Sequence, residues 1–211
     1  MDEPVVIVCG LGRCGSTMAM RMLHRGGLDV ITDEAVPIAY ETKITLELPG
    51  NWEWLLDCGG RAVKVLDPHR HQLPPWLPYR FVWMRRDFRQ QARSSKRFGK
   101  LMNEAQAAEA HLRGQPAPTP IAIPRLSALI ERLKHESRAA LELLAMYPYG
   151  QLTVIDFEDV LREPARAAVV LARAVGRDDL DLEAMVAQVI ERSATARRLP
   201  LELEMIREGG G

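Results

Sequence analysis

Apolar residues follow two rhythms along this chain. Val5, Val6, Ile7, Val8 and Cys9 form an unbroken, β-branched run, the pattern of a strand covered on both faces. Similar runs recur at residues 62–66, 80–84 and 152–156, each separated from the next by enough chain for a crossover helix. A shorter stretch, Leu28 with Val30 and Ile31, predicts one more strand. Between these runs the spacing becomes helical. Leu126, Leu129, Ile130, Leu133, Leu141 and Leu144 keep to one face of a helix, while Glu131, Arg132, Lys134 and Glu136 keep to the other. Pro164 opens a further helix that passes through Val169 and Leu171 to a capping Gly176, and a last helix is expected over residues 182–192. The order predicts an α/β fold: a P-loop-like central parallel sheet flanked by helices in three layers, built as one domain over residues 1–211. Residues 100–124 turn to Ala, Gln and Glu and then to Gly114, Pro116, Pro118 and Pro120, which cannot continue a helix, so a mobile excursion, positioned to act as a lid, is expected there.

Composition narrows the function. With 211 residues, 47% of them apolar, the chain can bury a substantial core. Its 28 basic and 28 acidic side chains cancel, so an anionic ligand has to be caught by a local cluster of charge and not by the protein's overall field. Cys9, Cys14 and Cys58 make an odd count without CxxC spacing, which argues against a disulfide framework and against a zinc site. No apolar run reaches the roughly 20 residues of a membrane span, and the start lacks the basic segment of a secretory signal. A cytoplasmic protein with reduced thiols is the expectation.

The first strand leads into Gly10, Leu11, Gly12, Arg13, Cys14, Gly15, Ser16 and Thr17, followed by the helical pattern Met18, Ala19, Met20, Arg21, Met22, Leu23. Strand, glycine loop and helix in this order gather backbone N–H groups and a helix N-terminus around one point, as a phosphate cradle requires. The pattern matches G-x-x-x-x-G-K-[ST] except at the lysine that would reach the β- and γ-phosphates: Ser16 stands there, and a cation appears instead at Arg13. A ligand with a shorter phosphate chain than ATP is favoured.

A second basic element begins where the strand at residues 80–84 ends. Arg85, Arg86, Arg89, Arg93, Lys96, Arg97 and Lys100 are accompanied by a single acid, Asp87. A parallel sheet brings the C-terminal ends of its strands to one edge, so Arg86 is expected beside the glycine loop. Lys96 and Lys100 read as a solvated face.

Together the two segments resemble the sulfotransferases that use 3′-phosphoadenosine 5′-phosphosulfate (PAPS). Arg13-Cys14-Gly15-Ser16-Thr17 is similar to that family's phosphosulfate loop, [KR]-S-G-[ST]-[ST], and Arg86 with Ser94 eight positions later is similar to the Arg and Ser that grip the 3′-phosphate. Lys64 and His69 on and after the strand at 62–66, and the strand, acidic turn and Pro-started helix at residues 154–164, extend the likeness over residues 5–176. Two departures stand out: Cys14 replaces the usual Ser, and no R-K-G-x-x-G-D-W-K segment follows Gly176, as in small bacterial members of the family. The resemblance implies that Gly12, Arg13, Cys14, Gly15, Ser16 and Thr17 hold the phosphosulfate, that Arg86 and Ser94 hold the 3′-phosphate, and that Lys64 stabilises the leaving group. It implies transfer to a hydroxyl or amine of a small-molecule or carbohydrate acceptor, with no intrinsic need for a metal.

A general base must be unprotonated within reach of the acceptor hydroxyl. Glu34, at the end of the expected second strand, is the first choice by analogy with tyrosylprotein sulfotransferases, and His69 is the rival. Trp52, Trp54, Trp76, Tyr40 and Tyr79 are candidates for an acceptor subsite or for the core. The alternatives are a P-loop small-molecule kinase with Asp156 as its magnesium residue, and an inactive nucleotide-binding relic. Nucleic-acid binding through residues 85–100 is disfavoured by the neutral charge and by limited aromatic interleaving at Phe88 and Phe98.

Overall fold

A computed structural model of the chain describes residues 3–32, 40, 53–71 and 73–189. Five parallel strands form one sheet in the order β2-β3-β1-β4-β5, with β1 at Val5–Gly10, β2 at Val30–Ile31, β3 at Ala62–Leu66, β4 at Tyr79–Arg85 and β5 at Gly150–Asp156. The helices are α1 (Ser16–Arg25), α2 (Phe88–Leu112), α3 (Leu126–Ala145), α4 (Phe157–Arg162), α5 (Pro164–Val175) and α6 (Leu182–Val186), with short 3₁₀ turns at Glu53–Asp57 and Pro68–Arg70.

Side chains alternate across a strand, so each continuous apolar run feeds two cores. Val6 and Val8 of β1 join Val82 and Met84 of β4 against α1, α5 and α6. Val5, Ile7 and Cys9 join Val63, Val65, Phe81 and Trp83 against α2, α3 and the turn at Leu55. The sheet is therefore the middle of three layers. The stripe on α3 reaches the second core through Leu129, Leu133 and Leu144, each such burial being worth about 1.5–3 kcal/mol. α5 ends at Gly176, whose φ of 69° is the left-handed cap expected of a glycine there. Residues 190–192 of the expected last helix lie outside the described residues, and α6 ends at Val186.

The expected excursion starts later than the sequence suggests. α2 continues through Leu112, because residues such as Ala, Gln and Glu extend a helix and the first strong breakers are Gly114 and Pro116. Only residues 113–125 lack regular structure, and their far end is tied back onto α2: the Asn103 side chain accepts from the Ile121 N–H (2.7 Å) and donates to the Ile121 carbonyl (3.1 Å).

The topology creates a crevice. β1 and β4 are neighbours, yet α1, which follows β1, lies on one face of the sheet, while α2 and α3, which follow β4, lie on the other. The two connections diverge from the C-terminal edge, the place where open α/β sheets bind ligands. With Cys9 opposite Trp83, the register sets Arg86 beside the loop that follows β1.

Candidate functional site

The glycine loop is held by its carbonyls. Gly10 accepts from the Asp67 N–H (3.0 Å) and Arg13 accepts from Arg86 Nη1 (3.2 Å). Between them, Gln91 Nε2 donates to the carbonyls of both Leu11 (3.1 Å) and Gly12 (2.9 Å). In a trans peptide the N–H points opposite to the carbonyl. Four consecutive carbonyls bound to outside donors thus orient the intervening N–H groups of Leu11, Gly12 and Arg13 away from those donors. At the end of the loop, α1 begins at Ser16, and its first-turn amides have no intrahelical acceptors. The arrangement is suited to an anion. Gly15, at φ 105°, makes the turn into α1, and a Cβ there would overlap the Phe157 ring.

Three cations approach this loop. Arg13 has a left-handed backbone (φ 70°), its Nε donates to Ser94 Oγ at 3.2 Å, and its guanidinium lies 4.9 Å from the centre of the Phe98 ring. Arg86, besides holding the Arg13 carbonyl, places its guanidinium 4.8 Å from the Phe157 ring centre. Lys64 is only 2% exposed and donates from Nζ to Thr17 Oγ1 at 3.3 Å, across the face of the sheet that α1 covers. A lysine is seldom buried so far unless its charge is used. The structure thus brings together Gly12, Arg13, Cys14, Gly15, Ser16, Thr17, Lys64, Arg86 and Ser94, drawn from a loop, the middle of β3, the end of β4 and two helices.

Cys14 faces inward and packs with Val8 and Met84. Burial pushes its thiol up, and hydrogen bonds from the N–H and hydroxyl of Ser16, with the Lys64 charge, pull it partly back. It offers the loop a packed side chain.

The base candidates are placed unequally. Glu34 lies outside the described residues, as does Trp52. His69 sits on the 3₁₀ turn after β3, half-buried, and its Nδ1 has no hydrogen-bond partner among the described residues. It lines a cavity of about 460 Å³ with His71, Leu143 and Tyr147, and burial pushes the His71 imidazole below its ordinary range. Of the aromatic candidates, Tyr79 belongs to the core: it is 1% exposed at the start of β4, and its hydroxyl donates to the Pro74 carbonyl at 2.9 Å. Tyr40 is also buried, with its hydroxyl 3.1 Å from His24 Nδ1, and Trp54 packs against the second core. Trp76 alone of the described aromatic candidates is largely exposed, at 66%.

Asp156 does not have the setting of a magnesium ligand. Arg85 grips both of its carboxylate oxygens, Nε to Oδ1 at 2.6 Å and Nη2 to Oδ2 at 2.7 Å, and this holds the carboxyl below its usual range. Of the two lysines expected on a solvated face of α2, Lys100 is exposed, as are Arg89, Arg93 and Arg97, whereas Lys96 is half-buried. No helix among the described residues is long and apolar enough to cross a membrane.

Three residues of the site escaped the sequence reading: Gln91, Phe98 as the platform for Arg13, and Phe157 as the platform for Arg86. The spacing of Gln91, Ser94 and Phe98 was a usable signal, because positions i, i+3 and i+7 share one face of a helix. No protein-family model matches this chain, and no curated protein matches it.

Proposed function

We propose that this chain is a PAPS-dependent sulfotransferase that transfers the sulfuryl group to a hydroxyl or amine of a small-molecule or carbohydrate acceptor. One observation carries the reading: two motifs some 80 positions apart close on the same loop, through the Arg13 to Ser94 hydrogen bond and the Arg86 bond to the Arg13 carbonyl. A loop that offers N–H groups on one side and cations at both ends suits a ligand with two separated anionic groups. The lysine-free loop and the Arg85 clamp on Asp156 both weigh against ATP with magnesium.

The residues divide the work. The loop amides of Gly12, Arg13, Gly15, Ser16 and Thr17, with the Arg13 side chain, hold the 5′-phosphosulfate, and Arg86 with Ser94 holds the 3′-phosphate. PAPS supplies the sulfuryl group, and the electron pair of the broken S–O bond leaves with the 5′-phosphate. Lys64 and the N-terminus of α1 neutralise the charge that develops on that phosphate. Glu34, or His69 in its place, takes the proton that the acceptor loses as its oxygen or nitrogen bonds to sulfur. Holding the reactants in line supplies much of the remaining rate enhancement.

Thermal unfolding with adenosine 3′,5′-bisphosphate (PAP), compared with ATP and magnesium, tests the reading. PAP at a hundredfold excess over its Kd adds about 2.7 kcal/mol, a rise of roughly 5–10 °C for a domain of this size. Arg13→Ala and Arg86→Ala cut that rise by about half or more. Glu34→Gln keeps the rise and loses sulfate transfer; retained turnover passes the role of base to His69. Stabilisation by ATP with magnesium and none by PAP overturns the proposal.

A further inference from the structure

We infer that Gln91 is the positioning residue of the glycine loop, the side chain that turns its carbonyls outward and so makes its amides available to an anion. Gln91 is 2% exposed on the first turns of α2, and its Nε2 reaches the Leu11 and Gly12 carbonyls at 3.1 and 2.9 Å. A primary amide has two N–H donors on one nitrogen, which is what two consecutive carbonyls need. No apolar residue can do this, and a carboxylate would present lone pairs to lone pairs. Within the loop the Cys14 N–H donates to the Leu11 carbonyl at 3.2 Å, while the Gly12 carbonyl is held by Gln91 and a Cβ at Gly12 would meet no atom within 4 Å. Helix α2 in turn fixes Gln91, since its own start is capped by Asp87, which accepts from the Gln90 N–H at 2.9 Å. One turn further along the same face, Ser94 takes Arg13. The helix therefore sets the loop's peptides and its arginine together.

The inference rests on the sulfotransferase reading only for the identity of the ligand, and hydrogen exchange separates the two. Gln91→Met keeps the volume and removes both donors. The ligand-free variant is expected to melt cooperatively and to exchange the Cys14 amide, whose N–H closes the loop onto the Leu11 carbonyl at 3.2 Å, roughly tenfold faster or more than wild type, with the amides of β4 and α3 unchanged. Its Kd for PAP rises by a similar factor, and Gln91→Glu exceeds Gln91→Met in both. A folded Gln91→Met with wild-type loop exchange overturns the role of Gln91, whatever the protein binds. Failure of the wild type to bind PAP overturns the ligand and leaves the exchange result standing. Should both variants fail to fold, NMR of the wild type decides: slowly exchanging Gln91 side-chain protons, with couplings across the hydrogen bonds to the Leu11 and Gly12 carbonyl carbons, support the role, and rapid exchange without them overturns it.

Discussion

Arg85 and Arg86 are consecutive, yet the sheet edge gives them opposite uses. Arg85, half exposed, clamps Asp156 on the neighbouring strand, and the backbone N–H of Asp87 faces both carboxylate oxygens of Glu158 at 3.4 Å, so acids gather on the rim above β4 and β5. Arg86 turns the other way, over Phe157 and onto the Arg13 carbonyl, toward Lys64 and the start of α1. One rim has its charges matched within the protein, whereas the other concentrates cations and amides at a crevice. A cluster of arginines in a sequence is thus not one feature: Arg85 ends β4 and pairs with Asp156, while Arg86, one residue past the strand, reaches the glycine loop.

The comparison breaks most severely at Gly15. Gly15→Ala forces a Cβ into the Phe157 ring from a left-handed backbone, which displaces both the turn into α1 and the platform beneath Arg86. The expected loss is about 2–4 kcal/mol of stability together with PAP binding, measured by urea unfolding and calorimetric titration. A variant as stable as wild type would show that the loop yields without cost. The arginine pair gives the next largest effect. Arg86→Ala is expected to weaken PAP roughly 10–100-fold, the worth of a lost charge-assisted hydrogen bond, while Arg85→Ala changes the affinity less than about threefold because its partner lies on the other rim. Equal losses in the two variants would dissolve the distinction.

Much of this was legible in the sequence because strands buried on both faces announce themselves. Ala62, Val63, Val65 and Leu66 fall on the strand their β-branched run predicts, and the leucines from Leu126 to Leu144 lie on the helix their spacing predicts. Arg86 was legible for a related reason, since it follows a strand end that the parallel sheet sets beside the glycine loop; Arg13 was marked by the cation that the loop carries in place of its usual lysine, and Ser94 only by the resemblance. The extent of α2 was not, because an Ala- and Gln-rich tract reads as low complexity until its first true breaker at Gly114. Gln91 was hidden more deeply. Its neighbour Ala92 marks a buried helical face, but nothing in a linear pattern says that the face meets backbone carbonyls instead of side chains. That information belongs to the angle between α2 and the loop, a tertiary quantity.

The smallest effect tests the quieter rim. Arg85 lowers the Asp156 carboxyl by hydrogen bonding, so the native state holds this group's proton less tightly than the unfolded chain does. Its contribution to stability is therefore complete above the unfolded carboxylate value of about 3.9 and fades as pH falls through the lowered native value. Half exposure of Arg85 and one-third exposure of Asp156 screen the pair, so the contribution is on the order of 0–1 kcal/mol. Asp156→Asn should flatten that part of the difference in unfolding free energy between pH 7 and pH 3, and the effect should shrink in about 1 M salt, where the Debye length is near 3 Å. PAP affinity should stay within about twofold of wild type, since the carboxylate belongs to Arg85 and not to the loop. If Asp156→Asn instead abolished PAP binding at full stability, the two rims would be one electrostatic unit, and the acid above β5 would have to be counted among the groups that set the site.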